Sequence, residues 1–352
     1  MKTRHILGLA LIAVTLMGLG CGQTKTAAGP DGGVLKSVDG GNIWAQAAAL
    51  VSSKGLGSIA AVDVSDLEMD PQDSQVIYLG TKEHGLFISE DAAATWRQPR
   101  VEALRTGSIA AVEVDPKNVC TVFVAKGDRL YKTTTCGRVW NSEAYVETRS
   151  TVSLTRVAVD WYDSNNVWIG LSNGDMLKSE DAGVTWRAVL SSDKSISSIL
   201  VSNTDSRVVF VSNKSQGVYK TIDGGTTWTS LKEELKEFKK GDKVVRLVQD
   251  SAGTTIVAST EFGLLRSVDA GATWNEIPLT TGDGEVLINA LAIFPSDANQ
   301  IYYGAGDVFY HSTDGGQTWV TMKIPSTRSP KDLLIDPDDV NTVYLGVMTL
   351  EK

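Results

Sequence analysis

Four charged residues have the types and spacing to build a polar binding site: Asp66, Arg156, Arg246 and Asp332. Each lies four residues before one member of the series Asp70, Asp115, Asp160, Ser202, Asp250, Phe294 and Asp336, which marks the descent into a recurring turn. Opposite charges converging on one mouth would hold a dipolar or zwitterionic group, or a peptide strand carrying both signs. The plainer chemistry of the same set is ion pairing at strand ends, where exposed pairs contribute little. Covalent and metal chemistry have thinner support. His5, His84 and His311 are far apart in sequence and form no ligand cluster with the three cysteines, so neither a metal nor a cofactor is expected. A glycosidase needs two carboxyls at a defined separation, and nothing singles out a pair among 42 acids.

The elements that position these residues repeat. SEDAGVTW (179–186), TIDGGTTW (221–228), SVDAGATW (267–274) and STDGGQTW (312–319) are close copies, SVDGGNIW (37–44) and SEDAAATW (89–96) are looser, and TTTCGRVW (133–140) is degenerate. Their tryptophans, Trp44, Trp96, Trp140, Trp186, Trp228, Trp274 and Trp319, stand 52, 44, 46, 42, 46 and 45 residues apart, the period of a propeller blade. In this octamer the aspartate (Asp39, Asp91, Asp181, Asp223, Asp269 or Asp314) is expected to accept from backbone amides two residues on, closing a tight turn. Glycine at the fifth position suits a positive φ, and Thr-Trp resumes a strand with the indole over the hairpin.

Two strand signals precede each octamer, as in Arg156–Asp160 with Asn166–Gly170 and Leu291–Phe294 with Ile301–Gly304. The expectation is an all-β, seven-bladed propeller of four-stranded antiparallel blades. Residues 332–347 supply two strands and residues 33–44 the missing half, so the termini share one blade and close the ring without long exposed edges. A monomeric ring is expected, occupying residues 34–352.

The octamer is the Asp-box, and the chain resembles Asp-box (BNR-type) propellers. The unit around Val114-Asp115-Pro116, and Ile335-Asp336-Pro337 with Val343-Tyr344-Leu345-Gly346, is most similar to the photosystem II stability/assembly factor family and its bacterial relatives outside photosynthesis. That resemblance implies a non-enzymatic propeller that binds proteins and assists a membrane or cell-surface complex. Sialidases, xyloglucan hydrolases and sortilin-type receptors share the box more distantly, which keeps carbohydrate binding or glycoside hydrolysis as the alternative. Sialidases need three arginines and an Arg-Ile-Pro motif. Arg156 and Arg246 supply two arginines, no third stands in the ring series, and the motif is absent.

Residues 1–20 read as an export signal, with Lys2 and Arg4 before the apolar run Ile6–Leu19. The following Cys21 resembles the lipidated first residue of a bacterial lipoprotein, although Gly18 departs from the usual lipobox. Residues 21–33 then form a flexible tether, and anchoring to a bacterial membrane, the outer one favoured, is expected. The net charge of −9, more negative once Lys2 and Arg4 are removed, argues against nucleic acid and for a protein client or membrane complex, a glycan remaining possible. Export makes a disulfide plausible. A hairpin turning at Gly127-Asp128 brings Cys120 opposite Thr135 or Cys136, and a Cys120–Cys136 bond would then do what the missing aspartate does elsewhere. Two loops offer interface candidates: Tyr145 and Arg149 in a long connection over 141–153, and Leu235 and Phe238 on a short helical stripe over 231–243.

Overall fold

The computed structural model describes residues 30–350 except 214, 216, 282, 283, 285 and 286; the expected export signal, Cys21 and most of the expected tether lie outside the described residues. Seven antiparallel sheets stand around one axis as a seven-bladed propeller. From the axis outward the third blade runs Leu154–Val159, Val167–Leu171, Asp175–Ser179 and Arg187–Ser191, and five other blades repeat that four-stranded order. The first blade has Val64–Asp70, Asp73–Thr81 and Leu86–Ser89, with its fourth position reduced to the single bridge Ile88–Arg97.

Closure is by the termini. Gly33–Ser37 pairs antiparallel with Asp339–Met348, and Ala45–Ala47 completes that blade from outside. The core lies between blades rather than at a centre. Successive sheets sandwich separate apolar clusters, such as Val34, Ile59, Leu67, Leu79 and Tyr344 between the seventh blade and the first. The glycine of the second strand makes this contact close. A Cβ on Gly170 would stand 2.6 Å from Ile196 of the next blade, and one on Gly346 would stand 2.5 Å from Val64.

The turns that follow the third strands work differently from the sequence expectation. Asp269 Oδ1 accepts from the amides three and four residues on, Ala272 (3.0 Å) and Thr273 (2.8 Å), rather than two on. Its other oxygen accepts from the Thr273 hydroxyl at 2.6 Å. The Ser267 hydroxyl donates to Asp269 and accepts from the Gly271 amide, both at 2.8 Å. Hydrogen bonds from the Thr273 hydroxyl and amide hold the Asp269 carboxyl down to about 2. Two successive residues, not one, take positive φ: Ala270 (53°) and Gly271 (78°) here, Cys136 (51°) and Gly137 (71°) in the degenerate copy. The indole also reaches further than its own hairpin. Trp96, Trp186 and Trp319 donate to Ala47, Ala144 and Pro278 on the outer edge of the preceding blade.

The residue before most turns is a cation that latches blade to blade. Lys36, Lys132, Lys178 and Lys220 donate to the carbonyls of Ala92, Ala182, Gly224 and Ala270 in the next blade's turn. Each ammonium also lies about 5 Å over a ring of its own blade, Tyr344, Phe123, Trp168 and Phe210 respectively. In the first blade that position is Ile88, so the second blade's turn receives no cation there.

That turn carries the disulfide. Cys136 is bonded to Cys120 across 16 residues. In every blade the amide at the fourth position of the turn donates to the residue entering the second strand, and here the pair is Cys136 N–H to Cys120 O at 3.0 Å. The disulfide therefore reinforces a joint common to all blades. The lost aspartate is replaced instead by the Thr135 hydroxyl, which accepts from the Val139 amide at 2.9 Å. A cross-link closing a loop of this size contributes about 3 kcal/mol. The Cys120→Ala/Cys136→Ala chain should lose that much in chemical denaturation monitored by tryptophan fluorescence, and reductant should weaken the parent chain while leaving the double variant unchanged.

Candidate functional site

The inner strands do not run straight into the channel. In five blades the register slips by one residue, at Ser65, Thr155, Ser197, Val245 and Lys331, immediately before the position aligned in the sequence. Such a bulge re-aims the next side chain. Asp66, Arg156, Arg246 and Asp332 follow four of these bulges and meet at the channel. The cavity there holds about 170 Å³ and is lined by Asp66, Arg156 and Arg246 with Glu68, Glu113, Lys331 and Asn289, while the buried Asp332 meets it through Arg246.

The ring brings the four predicted residues together but gives them unequal roles. Asp332 is buried, its side chain 2% exposed, and takes Arg246 at 2.5 Å although the sixth blade stands between their strands. Its Oδ2 accepts from the Leu67 amide of the first blade at 3.0 Å. Asp66 accepts from the Val112 amide of the second blade at 2.8 Å, and Glu113 from the Val159 amide of the third at 3.1 Å. Glu68 takes the Val114 amide in the same way. All four channel acids thus fasten one blade to the next. Arg156 bonds to carbonyls on three strands' ends, Ser197 (2.7 Å), Thr155 (2.6 Å) and Ala110 (3.4 Å).

The channel strips solvent from these groups, and their protonation follows. Burial, then the nearby Asp332, pushes Asp66 up to about 6. Burial pushes Glu113 up to about 8, against the pull of the Val159 amide. Glu68 is raised well above the usual range by burial and by Glu113 beside it. Burial and the neighbouring Arg156 bring the Lys331 ammonium down to about 8. Glu68, Glu113 and Lys331 escaped the sequence alignment. Glu68 sits two residues beyond Asp66 and Glu113 two beyond Ala111, so the period-two rule for one strand face would have found both. Lys331 sits on a bulge that no pattern announces.

The interface candidates lie away from the channel. Residues 141–146 belong to the outer strand Trp140–Val146 rather than to a long connection. Tyr145 is half-buried, packs edge-on against Trp186 and donates to Glu147 at 2.9 Å. Arg149 is exposed at its tip and clamps Glu147 and Asp175. A helix does form at Lys232–Leu235, but its apolar stripe turns inward: Leu235 is 0% exposed in the cluster with Val218 and Val244, and Phe238 meets Phe262. That stripe is committed to the core and leaves no apolar face for docking.

Residues 102–345 match the DUF6242 beta propeller domain. A xyloglucanase of Hypocrea jecorina is 36% identical over 85 residues, 22% of this chain and 10% of that protein. Among solved structures, the GH74 xyloglucanase of Xanthomonas campestris superposes with a TM-score of 0.67 at 17% identity, covering 82% of this chain and 51% of that one. A structure of YCF48 bound to D1 peptide superposes with a TM-score of 0.62 at 16% identity, covering 81% of this chain and 93% of that one. The chain therefore spans about a tenth of its curated relative and about half of the xyloglucanase structure. At these identities the structural likeness shows the fold.

Two outcomes follow from the channel. Asp332→Asn should cost about 3 kcal/mol, because it leaves the Arg246 guanidinium without its counter-charge; denaturant melts measure it. The raised acids hold their protons more tightly folded than unfolded. Their stabilisation is complete below the ordinary 4.5 of a glutamate and is lost as pH climbs through about 8. The melting temperature should fall across that window, and Glu113→Gln should make the fall shallower.

Proposed function

This chain belongs to the DUF6242 β-propeller family, and from that premise we propose that it is a non-enzymatic binding protein, exported and held at a membrane through Cys21, that assists or scaffolds a protein complex. The observation that carries the proposal is the state of the channel acids. Asp66, Glu68, Glu113 and Asp332 each accept a backbone amide from the adjacent blade, so the carboxyls nearest the axis are joints of the ring. Glycoside hydrolysis requires an acid and a base placed to exchange protons with a bound sugar, whereas each of these four already gives an oxygen to the neighbouring blade. The octamers support an Asp-box assignment through their shared Ser/Thr, Asp and Trp positions, and the Asp-box resemblance to assembly-factor propellers supports a protein client.

The working face is the one opposite the octamer turns, where the connections between blades and the mixed-charge channel mouth lie together. Arg156, Arg246 and Lys331 stand there beside Asp66, with Glu68 and Glu113 also in the lining, suited to a segment carrying both signs of charge. That the superposed YCF48 carries a D1 peptide supports a peptide-like client here. The alternative, a carbohydrate-directed propeller, draws on the xyloglucanase likeness alone.

Cross-linking in intact cells followed by mass spectrometry tests both. Client cross-links should fall on Lys194 and Lys240 beside the inter-blade connections and not on Lys117 beside an octamer-side turn. The same purified protein should release no reducing sugar from xyloglucan oligosaccharides. Cross-links centred on Lys117, or turnover of the glycan, would reverse the assignment.

A further inference from the structure

The connection from the seventh blade to the first is unlike the other six. Between Ala45–Ala47 and Val64–Asp70 the chain forms its own hairpin, Ala49–Ser52 with Gly55–Ser58. Its base is fixed: Trp96 and Ala49, then Val51 and Trp96, exchange backbone bonds at 2.8 Å, and Leu50 packs on the first core cluster. Its tip is not covered. Residues 51–58 are exposed without interruption. Val51 and Leu56 are direct cross-strand partners, so they share a face. That face is opposite Leu50 and points to solvent, leaving Val51 51% and Leu56 78% exposed.

The electrostatics of this segment run against the rest of the molecule. In a chain of net charge −9, no aspartate or glutamate occurs from residue 40 to residue 62, and Lys54 at the hairpin tip is the only charge. Several other exposed apolar residues sit beside acids, as Ile222 does beside Asp223 and Val268 beside Asp269, whereas Val139 and Val320 are single exposed residues without one. Exposure alone therefore does not distinguish the hairpin; a cross-strand pair of exposed apolar side chains, in a segment without acids and with a cation at its tip, does.

The third observation is position. Gly32 and Gly33 donate to Ala60 and Val62, just past the hairpin, and Gln46 bonds to the Pro30 carbonyl. The tether thus enters the fold against the hairpin's own base. Nine residues lie between Cys21 and Asp31, whose carboxylate is already bonded to Thr327. Even fully extended, those residues reach only about 30 Å.

We propose that the Ala49–Ser58 hairpin is a membrane-contact element: Val51 and Leu56 enter the interfacial region of a phospholipid leaflet, and Lys54 sits among anionic headgroups. Apolar side chains beside a cation are what a lipid surface accepts, while a carboxylate there would be repelled. One such contact is weak, and its consequence is orientation. Together with an anchor at Cys21, the one element taken from the functional reading above, it fixes the face bearing the channel mouth and the inter-blade connections toward the bilayer. The octamer turns, with their row of aspartates, then face away.

The test places a photoreactive diazirine side chain at Leu56 in the full chain, reconstituted into vesicles of phosphatidylethanolamine and phosphatidylglycerol. The same side chain at Ile222, equally apolar and comparably exposed, is the control. Irradiation should give phospholipid adducts several-fold more abundant at position 56 than at position 222. With the diazirine moved to Val51, Leu56→Asp should remove most of the adduct, and circular dichroism verifies that the exposed substitution leaves the fold intact. Equal labelling at 56 and 222, or adducts at 51 indifferent to Leu56→Asp, would overturn the proposal. The mass of the N-terminal peptide is read separately. Acylated Cys21 with silent position 56 removes the hairpin contact alone, and labelled position 56 on an unacylated chain removes the anchor alone.

Discussion

Ring closure is the constraint on which everything else here depends. A blade packs only on its two neighbours, so seven sheets acquire a continuous core only if the last meets the first. That meeting is the five-residue register of Gly33–Ser37 against Asp339–Met348, two segments from opposite ends of the chain. The entering strand is short and begins three residues after Pro30, the first described residue. Its backbone bonds, the Asp31 side chain on Thr327 and the Arg328 clamp on Asp63 and Val62 all converge there. A load on the N-terminus is therefore carried first by the seam that keeps the ring shut, which explains the concentration of side-chain bonds at that point.

Once closed, the ring must keep its blades in phase, and it does so at two radii. Near the axis carboxylates reach to the next blade's amides, and nearer the rim lysines reach to the next blade's turn carbonyls. Both set a polar side chain against a backbone group, and where that side chain is ionised, as in the lysine latches, the bond is stronger than a neutral one. The inner set has a consequence the outer lacks. Acids crowded round a narrow channel are costly to ionise together, so some stay protonated near neutrality and the channel carries less negative charge than its composition suggests. Three cations share that space, with Asp332 as the direct partner of Arg246. The mouth consequently offers cationic as well as anionic surface, although the protein as a whole is acidic.

Much of this was legible in the chain. Evenly spaced tryptophans gave the blade count, the half-units at the ends gave the closure, and hairpin geometry about Gly127 brought Cys120 opposite Thr135 or Cys136. These features share a cause: each is set by local spacing, and spacing survives in sequence. What was not legible depends on geometry that spacing does not encode. The aspartate turn bonds three and four residues on because two successive left-handed residues, not one, reverse the chain, and alanine holds the first of them at Ala92, Ala182 and Ala270. The bulges at Ser65 and Lys331 carry no composition signal. The stripe of Leu231, Leu235 and Phe238 was visible as a stripe, yet an amphipathic pattern says that one face is apolar and not which side is buried.

The second blade shows how such an array tolerates loss. Its turn has lost the aspartate, and the blade before it has isoleucine where four other blades have a latching lysine and one an arginine, so two joints that serve most turns are gone from one place. Thr135 restores one bond at the aspartate's position with a neutral acceptor, weaker than a carboxylate and without its second oxygen. The disulfide supplies the remainder at the neighbouring backbone joint between Cys120 and Cys136, where every other blade relies on a hydrogen bond alone. Compensation occurs within the defective blade and not in its neighbours because the stability of a repeat array is a sum of local terms: a strong joint elsewhere cannot hold a turn that it does not touch. The most degenerate octamer in the sequence is thus the one tied covalently in the structure, and an oxidising environment during folding is the condition under which that replacement forms.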